Sequence, residues 1–163
     1  MIVLLVMAIL LAIAIPTFRG VKGNAQDRAV QSNLTTALTS AKAAYVNNGS
    51  YSTVVGLEVA ALNSSEPNLV FTTGLPTGAG LNAVALNVST DGQGLLLVGW
   101  SASRTCWALV DNEGDTTAAG DAGDAIANAP TTGGDQCNHW TNGTSSTCTN
   151  AVPSGTAGWQ SHF

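Results

Sequence analysis

Charge is scarce in this chain. Only 9% of its 163 residues are charged, a balance that suits a secreted or surface-assembled protein better than a cytosolic enzyme. Basic side chains are the scarcest. Four of the five, Arg19, Lys22, Arg28 and Lys42, fall in the first 45 residues, and Arg104 stands alone beyond them. Nine of the ten acids lie past residue 50, which makes a basic stalk and an acidic head. A head with one basic residue has too few phosphate contacts to read as a nucleic-acid binder. Catalytic patterns are missing as well: there is no Gly-x-Ser-x-Gly elbow and no phosphate-binding glycine loop. The two histidines, His139 and His162, lack a paired base-and-nucleophile pattern. The expectation is a protein that is not an enzyme, with one domain of ordinary size and a real core.

What is present is concentrated at the front. Met1 to Ile15 (MIVLLVMAILLAIAI) contains no polar residue, so no face of a helix here seeks water. At ~1.5 Å per residue this run spans roughly 22 Å, short of the ~30 Å hydrocarbon core of a bilayer. A cleaved signal peptide fits the length. It fits the flanks poorly, because no basic segment precedes the run and no small-x-small site follows it. Instead the pattern continues. Phe18, Val21, Ala25, Ala29, Val30, Leu34, Ala37, Leu38, Ala41, Ala44 and Tyr45 recur at the three-to-four spacing of one helical stripe. The opposite face carries Lys22, Asp27, Arg28, Gln31, Asn33 and Lys42 and is expected to be solvated. Val46 to Gly49 end the helix with residues that tolerate a left-handed cap. A helix of about 45 residues is roughly 65 Å long, too long for a compact domain of this size, so its front half is expected to protrude.

Pro16 removes one backbone donor and crowds the carbonyl of Ala12, so a kink or an unwound stretch is expected between Ala8 and Pro16. Beyond the helix comes a loop with Leu57, Val59 and Leu62, and then four strand-like runs: Leu69 to Thr73, Asn82 to Ser89, Leu95 to Ser101 and Thr105 to Asp111. Turn signals separate them at Pro76 and Gly78, at Asp91, Gly92 and Gly94, and at Ser103 and Arg104. Short connections favour an antiparallel meander, and alternation over Ala83 to Val88 gives the sheet one buried face to cover Val30 to Tyr45 of the helix. Residues 111–163 show little periodicity and are expected to be mostly loop, with Trp140 and Trp159 anchoring them to the sheet.

The run LLVMAILLAIAIPTF, followed by a helix and then by Tyr45, Asn48, Gly49, Ser50 and Tyr51, is similar to the N-terminal region of bacterial type IV pilins and pseudopilins. The resemblance is specific over residues 1–51 and looser beyond. It implies an α+β, type IV pilin-like fold in which a long protruding N-terminal helix packs on a four-stranded antiparallel sheet with a disulfide-bearing, loop-rich C-terminal region. It divides the chain into a hydrophobic helix segment, 1–16, and a head, 17–163, that includes the rest of the helix. In that family the mature chain begins a few residues earlier, with a methylated aromatic residue and a glutamate exposed by a prepilin peptidase. The resemblance therefore implies that the true start lies upstream of Met1, and a basic leader there would restore the usual orientation bias. At Ala8 the family often has glycine. Alanine favours the helix by ~1 kcal/mol over glycine, so melting is less favoured here.

Three cysteines, Cys106, Cys137 and Cys148, all lie beyond residue 105 and suggest one disulfide with one thiol left over. Their connectivity is not readable from the sequence. The resemblance favours Cys106 with Cys148, with Cys137 as the alternative partner, and leaves the remaining thiol either buried or bonded to a neighbouring subunit. Cys137, His139 and Cys148 match no common zinc spacing. Asp111, Asn112, Glu113, Asp115, Asp121 and Asp124 crowd a Gly-rich stretch and can be read as a calcium loop, as in some pseudopilins, or as a solvated acidic loop; the spacing is not that of an EF-hand. Otherwise no cofactor is expected. Asn33, Asn48, Asn63, Asn87 and Asn142 each open an Asn-x-Ser/Thr triplet that permits glycosylation.

The function these features imply is structural. Copies would stack their apolar helices, through Ile2, Leu5, Ile9, Leu11, Ile13 and Ile15, into the core of an extracellular filament. Before assembly the same segment would hold the subunit in the inner membrane. The resemblance adds an assembly ATPase and a platform protein as partners, and attachment, twitching motility or DNA uptake as roles. Two other readings stand beside it: a pseudopilin of a type II secretion system, and a membrane-anchored binding module.

Overall fold

The computed structural model describes residues 2–51, 59–73, 82–89, 91–113, 136–141, 148, 159–161 and 163, with the side chains of 16–20, 136, 140 and 141 outside the description. Helix α1, Ile2–Asn48, is unbroken. It ends where glycine makes a left-handed turn free of strain: Gly49 has φ +68° and its N–H donates to the Tyr45 carbonyl at 2.6 Å. Helix assignment runs straight through Ala8, Ala12 and Pro16, so the unwound alternative expected there is not adopted. The lost donor at Pro16 costs one bond in a segment otherwise made of good helix formers.

A short helix α2, Val59–Ser65, stands where a loop was expected, and it buries Leu62. Then come β1 (Val70–Thr73), β2 (Ala83–Val88), β3 (Gly94–Trp100), β4 (Thr105–Asn112) and β5 (Gln136–Thr141). They form one five-stranded mixed sheet in sequence order. Two corrections to the four-stranded antiparallel expectation follow. First, β1 pairs with β2 in parallel, Val70 opposite Ala83. Nine residues separate the two strands. A chain of that length reaches up to ~30 Å, enough to return past a four-residue strand. Second, β5 adds a strand in the region expected to be loop, pairing antiparallel with β4 so that His139 lies opposite Trp107 and Cys137 opposite Leu109.

Both sheet faces are covered, whereas alternation in β2 suggested one. The helix side is built on Val30, Leu34, Ala37, Leu38 and Ala41 of α1 against Val84, Leu86, Leu95, Leu97 and Leu109, closed by Tyr51, Leu62 and Phe71. The far side gathers Ala85, Leu96, Val98, Trp100, Cys106, Ala108, Val110 and Cys148, with Trp159 packed on it. Every residue of β3 is consequently buried, which is why its LLLV run does not alternate. The helix comes very close: a Cβ placed on Gly99 would lie 2.6 Å from Val30 Cγ1.

Both sheet edges are occupied. At β1, Asn63 of α2 acts as a substitute strand: its Oδ1 accepts from Phe71 N–H at 2.8 Å and its Nδ2 donates to the Phe71 carbonyl at 3.4 Å. At β5, Cys137 and Gln160 exchange backbone hydrogen bonds of 2.7 and 2.8 Å. Each cap removes one residue's outward backbone groups from unwanted edge pairing.

Candidate assembly surface and adjoining groove

The front of α1 carries eleven large apolar side chains between Ile2 and Ile15, from 49% exposed at Val6 to 78% at Ile2. They include the six candidate filament contacts, Ile2, Leu5, Ile9, Leu11, Ile13 and Ile15. The same helix buries Val30, Leu34, Ala37, Leu38 and Ala41 completely or nearly so against the head. One element thus has two apolar surfaces, one satisfied within the chain and one bare. Patches of that extent mark surfaces that meet protein or lipid. Among the described residues no helix is long and apolar enough to cross a membrane.

The junction of helix and head is polar and tightly held. Asp111, buried at the end of β4, accepts a hydrogen bond from the Tyr51 hydroxyl and meets Lys42 Nζ at 3.3 Å. Lys42 also lies 3.7 Å from Glu113. A buried carboxylate is tolerable only with such partners. Tyr45 packs tilted against Tyr51 with ring centroids 4.6 Å apart and donates to Gln93 at 2.6 Å, and Ser40 donates to Glu66 at 2.9 Å. The face of α1 expected to be solvated is thus partly engaged: Lys42 reaches the β4 end, and Asp27 accepts from the Ser103 hydroxyl.

These contacts bear on the acidic calcium candidates. Asp111 and Glu113 share a lysine, while Asp115, Asp121 and Asp124 lie outside the described residues. Among the described residues no group of three metal-ligating side chains forms. Asp91, next to the β2–β3 turn, is held below the usual carboxylate range first by the Ser89 hydroxyl and then by the Gln93 N–H.

Cys106 and Cys148 form a disulfide with a Cα separation of 5.9 Å, and it lies in the far-side core. Cys137 is a buried free thiol on the other face, its pKa pushed up by burial. Of the glycosylation candidates, Asn48 is exposed and Asn33 and Asn87 are half-buried. Asn63 uses its amide to cap β1, and Asn142 is outside the described residues.

Sequence reasoning missed a groove between α1 and the β4–β5 corner. One wall is a single helical face, Asn24, Asp27, Arg28 and Gln31, and the other is Trp107 with Phe163, enclosing about 540 Å³. Trp107 stacks on His139 at 4.8 Å and meets Phe163 edge-on at 5.7 Å. A smaller recess of about 130 Å³, lined by Cys137, His139 and Gln160, continues from it. The buried Nε1 of Trp107 has no acceptor among the described residues. The signal available in the sequence was the i, i+3, i+4, i+7 spacing of four polar residues, but nothing marked β5 as the strand that brings His139 opposite Trp107.

No family model, curated protein or solved structure matches this chain.

Proposed function

We propose that this chain is the structural subunit of an extracellular filament, built on the type IV pilin plan and polymerising through the apolar front of α1. The observation that carries the reading is the exposure of eleven large apolar side chains on a helix whose other half is docked on its own head. Covering such side chains is worth ~1.5–3 kcal/mol each, so even half coverage gives on the order of 10 kcal/mol. That is comparable with the ~4–15 kcal/mol cost of association. From water, then, the stalks drive assembly. From lipid the gain is far smaller, which is why this reading includes storage in the inner membrane and an external motor, an assembly ATPase with its platform protein, after processing by a prepilin peptidase.

The sequence resemblance over residues 1–51, the α+β build with a disulfide-closed head, and the absence of a catalytic constellation in the sequence support the reading. A filament on the cell surface would serve attachment, motility or DNA uptake.

The test is to shear cells, collect the filaments and reconstruct them by electron microscopy. Stalks packed at the centre with heads outside are expected, and Leu5→Glu and Ile9→Glu should abolish filaments while leaving the head's melting unchanged. Recovery of the chain only in the periplasm would transfer the reading to the pseudopilin piston. A detergent-solubilised monomer that never polymerises, with both variants behaving as wild type, would leave only the anchored binding module.

A further inference from the structure

From the groove between α1 and the β4–β5 corner we infer a binding site for a neutral oligosaccharide. The inference concerns the head and does not depend on filament formation. Its basis is the amphipathic cross-section of the groove. One wall is aromatic, with Trp107 stacked on His139 and flanked by Phe163. The facing wall is one polar helix face, Asn24, Asp27, Arg28 and Gln31. A pyranose has the same division, with C–H faces that pack on aromatic rings and a rim of hydroxyls that both donate and accept. Apolar walls with a few convergent polar groups are how small-molecule sites fix orientation.

The polar wall is ready to bind. Asn24, Arg28 and Gln31 make no side-chain hydrogen bond or ion pair within the described residues, and Asp27 keeps acceptor capacity beyond its bond to Ser103. The two amides each offer a donor pair and an acceptor, which suits hydroxyls better than it suits a purely anionic or cationic group. The volume, about 540 Å³, falls in the range of sites that enclose several rings.

Charge selects among the ligands that stack on tryptophan. Asp27 and Arg28 are adjacent and opposite in sign, so the wall has little net charge, while the chain as a whole carries −5. A polyanion such as single-stranded nucleic acid or a uronic-acid polymer would meet the Asp27 carboxylate beside the groove's one cation, Arg28, and find no net attraction in that balance. A neutral glycan loses nothing to it.

The experiment is isothermal titration of the full chain, held in a zwitterionic detergent without a sugar headgroup. Cellotriose, maltotriose and tri-N-acetylchitotriose serve as neutral probes, with trigalacturonic acid and hexathymidylate as anionic ones. Saturable binding of at least one neutral trisaccharide with Kd below about 10 mM is expected, together with saturation transfer to the Trp107 indole. Asn24→Ala and Gln31→Ala, both on the helix surface away from the core, should each weaken it fivefold or more at unchanged melting temperature. Absence of binding by all three neutral probes, binding indifferent to both variants, or tighter binding of either anionic probe would overturn the inference.

Discussion

Gly99 offers the sharpest test of how the helix sits on the sheet. A methyl group there would lie 2.6 Å from Val30 Cγ1 and 3.6 Å from Leu34 Cδ2. Ordinary carbon contacts are ~3.5–4.0 Å, so the overlap with Val30 is roughly 1 Å. Neither side can yield cheaply. Gly99 lies in a central strand, paired with Val84 on one side and Trp107 on the other, and valine in a helix is confined to about one side-chain rotamer. Gly99→Ala should therefore cost ~2–3 kcal/mol, the upper part of the range for overpacking. For a chain of this size that lowers Tm by roughly 4–12 °C. Val30→Ala alone removes buried methyl groups and should cost ~1–2 kcal/mol. In the double variant the new Cβ enters the space that Val30 Cγ1 vacates, so the two penalties should fail to add by ~1.5–2.5 kcal/mol. Urea unfolding of the four proteins at fixed detergent concentration, followed by far-UV circular dichroism with m held equal, measures this. Penalties that add within ~0.5 kcal/mol would refute the packing of α1 on β3 described above.

Three further outcomes follow from the same structure. Asn63→Ala removes the group that caps Phe71 and should cost ~1–2 kcal/mol in urea unfolding. It should also raise the aggregation rate measured by light scattering, because the β1 edge opens. Reduction of Cys106–Cys148, whose partners are 42 residues apart, should cost about 4 kcal/mol by loop-closure entropy, read as a shift of the urea midpoint with and without reductant. Asp91 has its folded pKa depressed chiefly by the Ser89 hydroxyl, so its contribution is present above the ordinary carboxylate pKa and is lost as pH falls through the folded value. Asp91→Asn should be slightly less stable than wild type at pH 7, and urea midpoints of the two should converge as the pH is lowered below the ordinary carboxylate range.

Local rules made much of the frame readable. Expected and observed strands agree to within one residue at either end for Val70–Thr73, Ala83–Val88, Gly94–Trp100 and Thr105–Asn112, because Asp91-Gly92 and Ser103-Arg104 carry their own turn geometry. Gly92 and Arg104 both take positive φ. The cap at Gly49 was readable for the same reason. What escaped depended on distant partners. In β5, QCNHWT has no clear alternation, and it becomes a strand because β4 offers it a free edge and Gln160 closes the other side. The parallel pairing of β1 is a matter of where the chain returns, which no residue within the strand reports.

The candidate sites divide along the same line. The bare stalk was legible because an unbroken apolar run from Ile2 to Ile15 needs no tertiary information to be recognised, and its exposure follows from helix length alone. The Tyr51–Asp111–Lys42 contact and the Trp107 groove were not, since each joins residues from elements far apart in sequence. Their positions also explain how one helix serves two surfaces. Lys42 and Ser40 tie its C-terminal end to β4 and to Glu66, the residue after α2, and Val30 seats it on Gly99. N-terminal to the groove residues Asn24 to Gln31, Val21 and the apolar side chains up to Ile15 are exposed. The groove therefore lies where α1 leaves its head. A subunit packed along the stalk would approach the groove from the N-terminal side, and a ligand there would sit beside that contact. Burial of stalk side chains alone would then leave the groove's aromatic wall unchanged, whereas packing that reaches Asn24 would close it, so sugar binding measured on filaments and on detergent-held subunits distinguishes how far along α1 the neighbours extend.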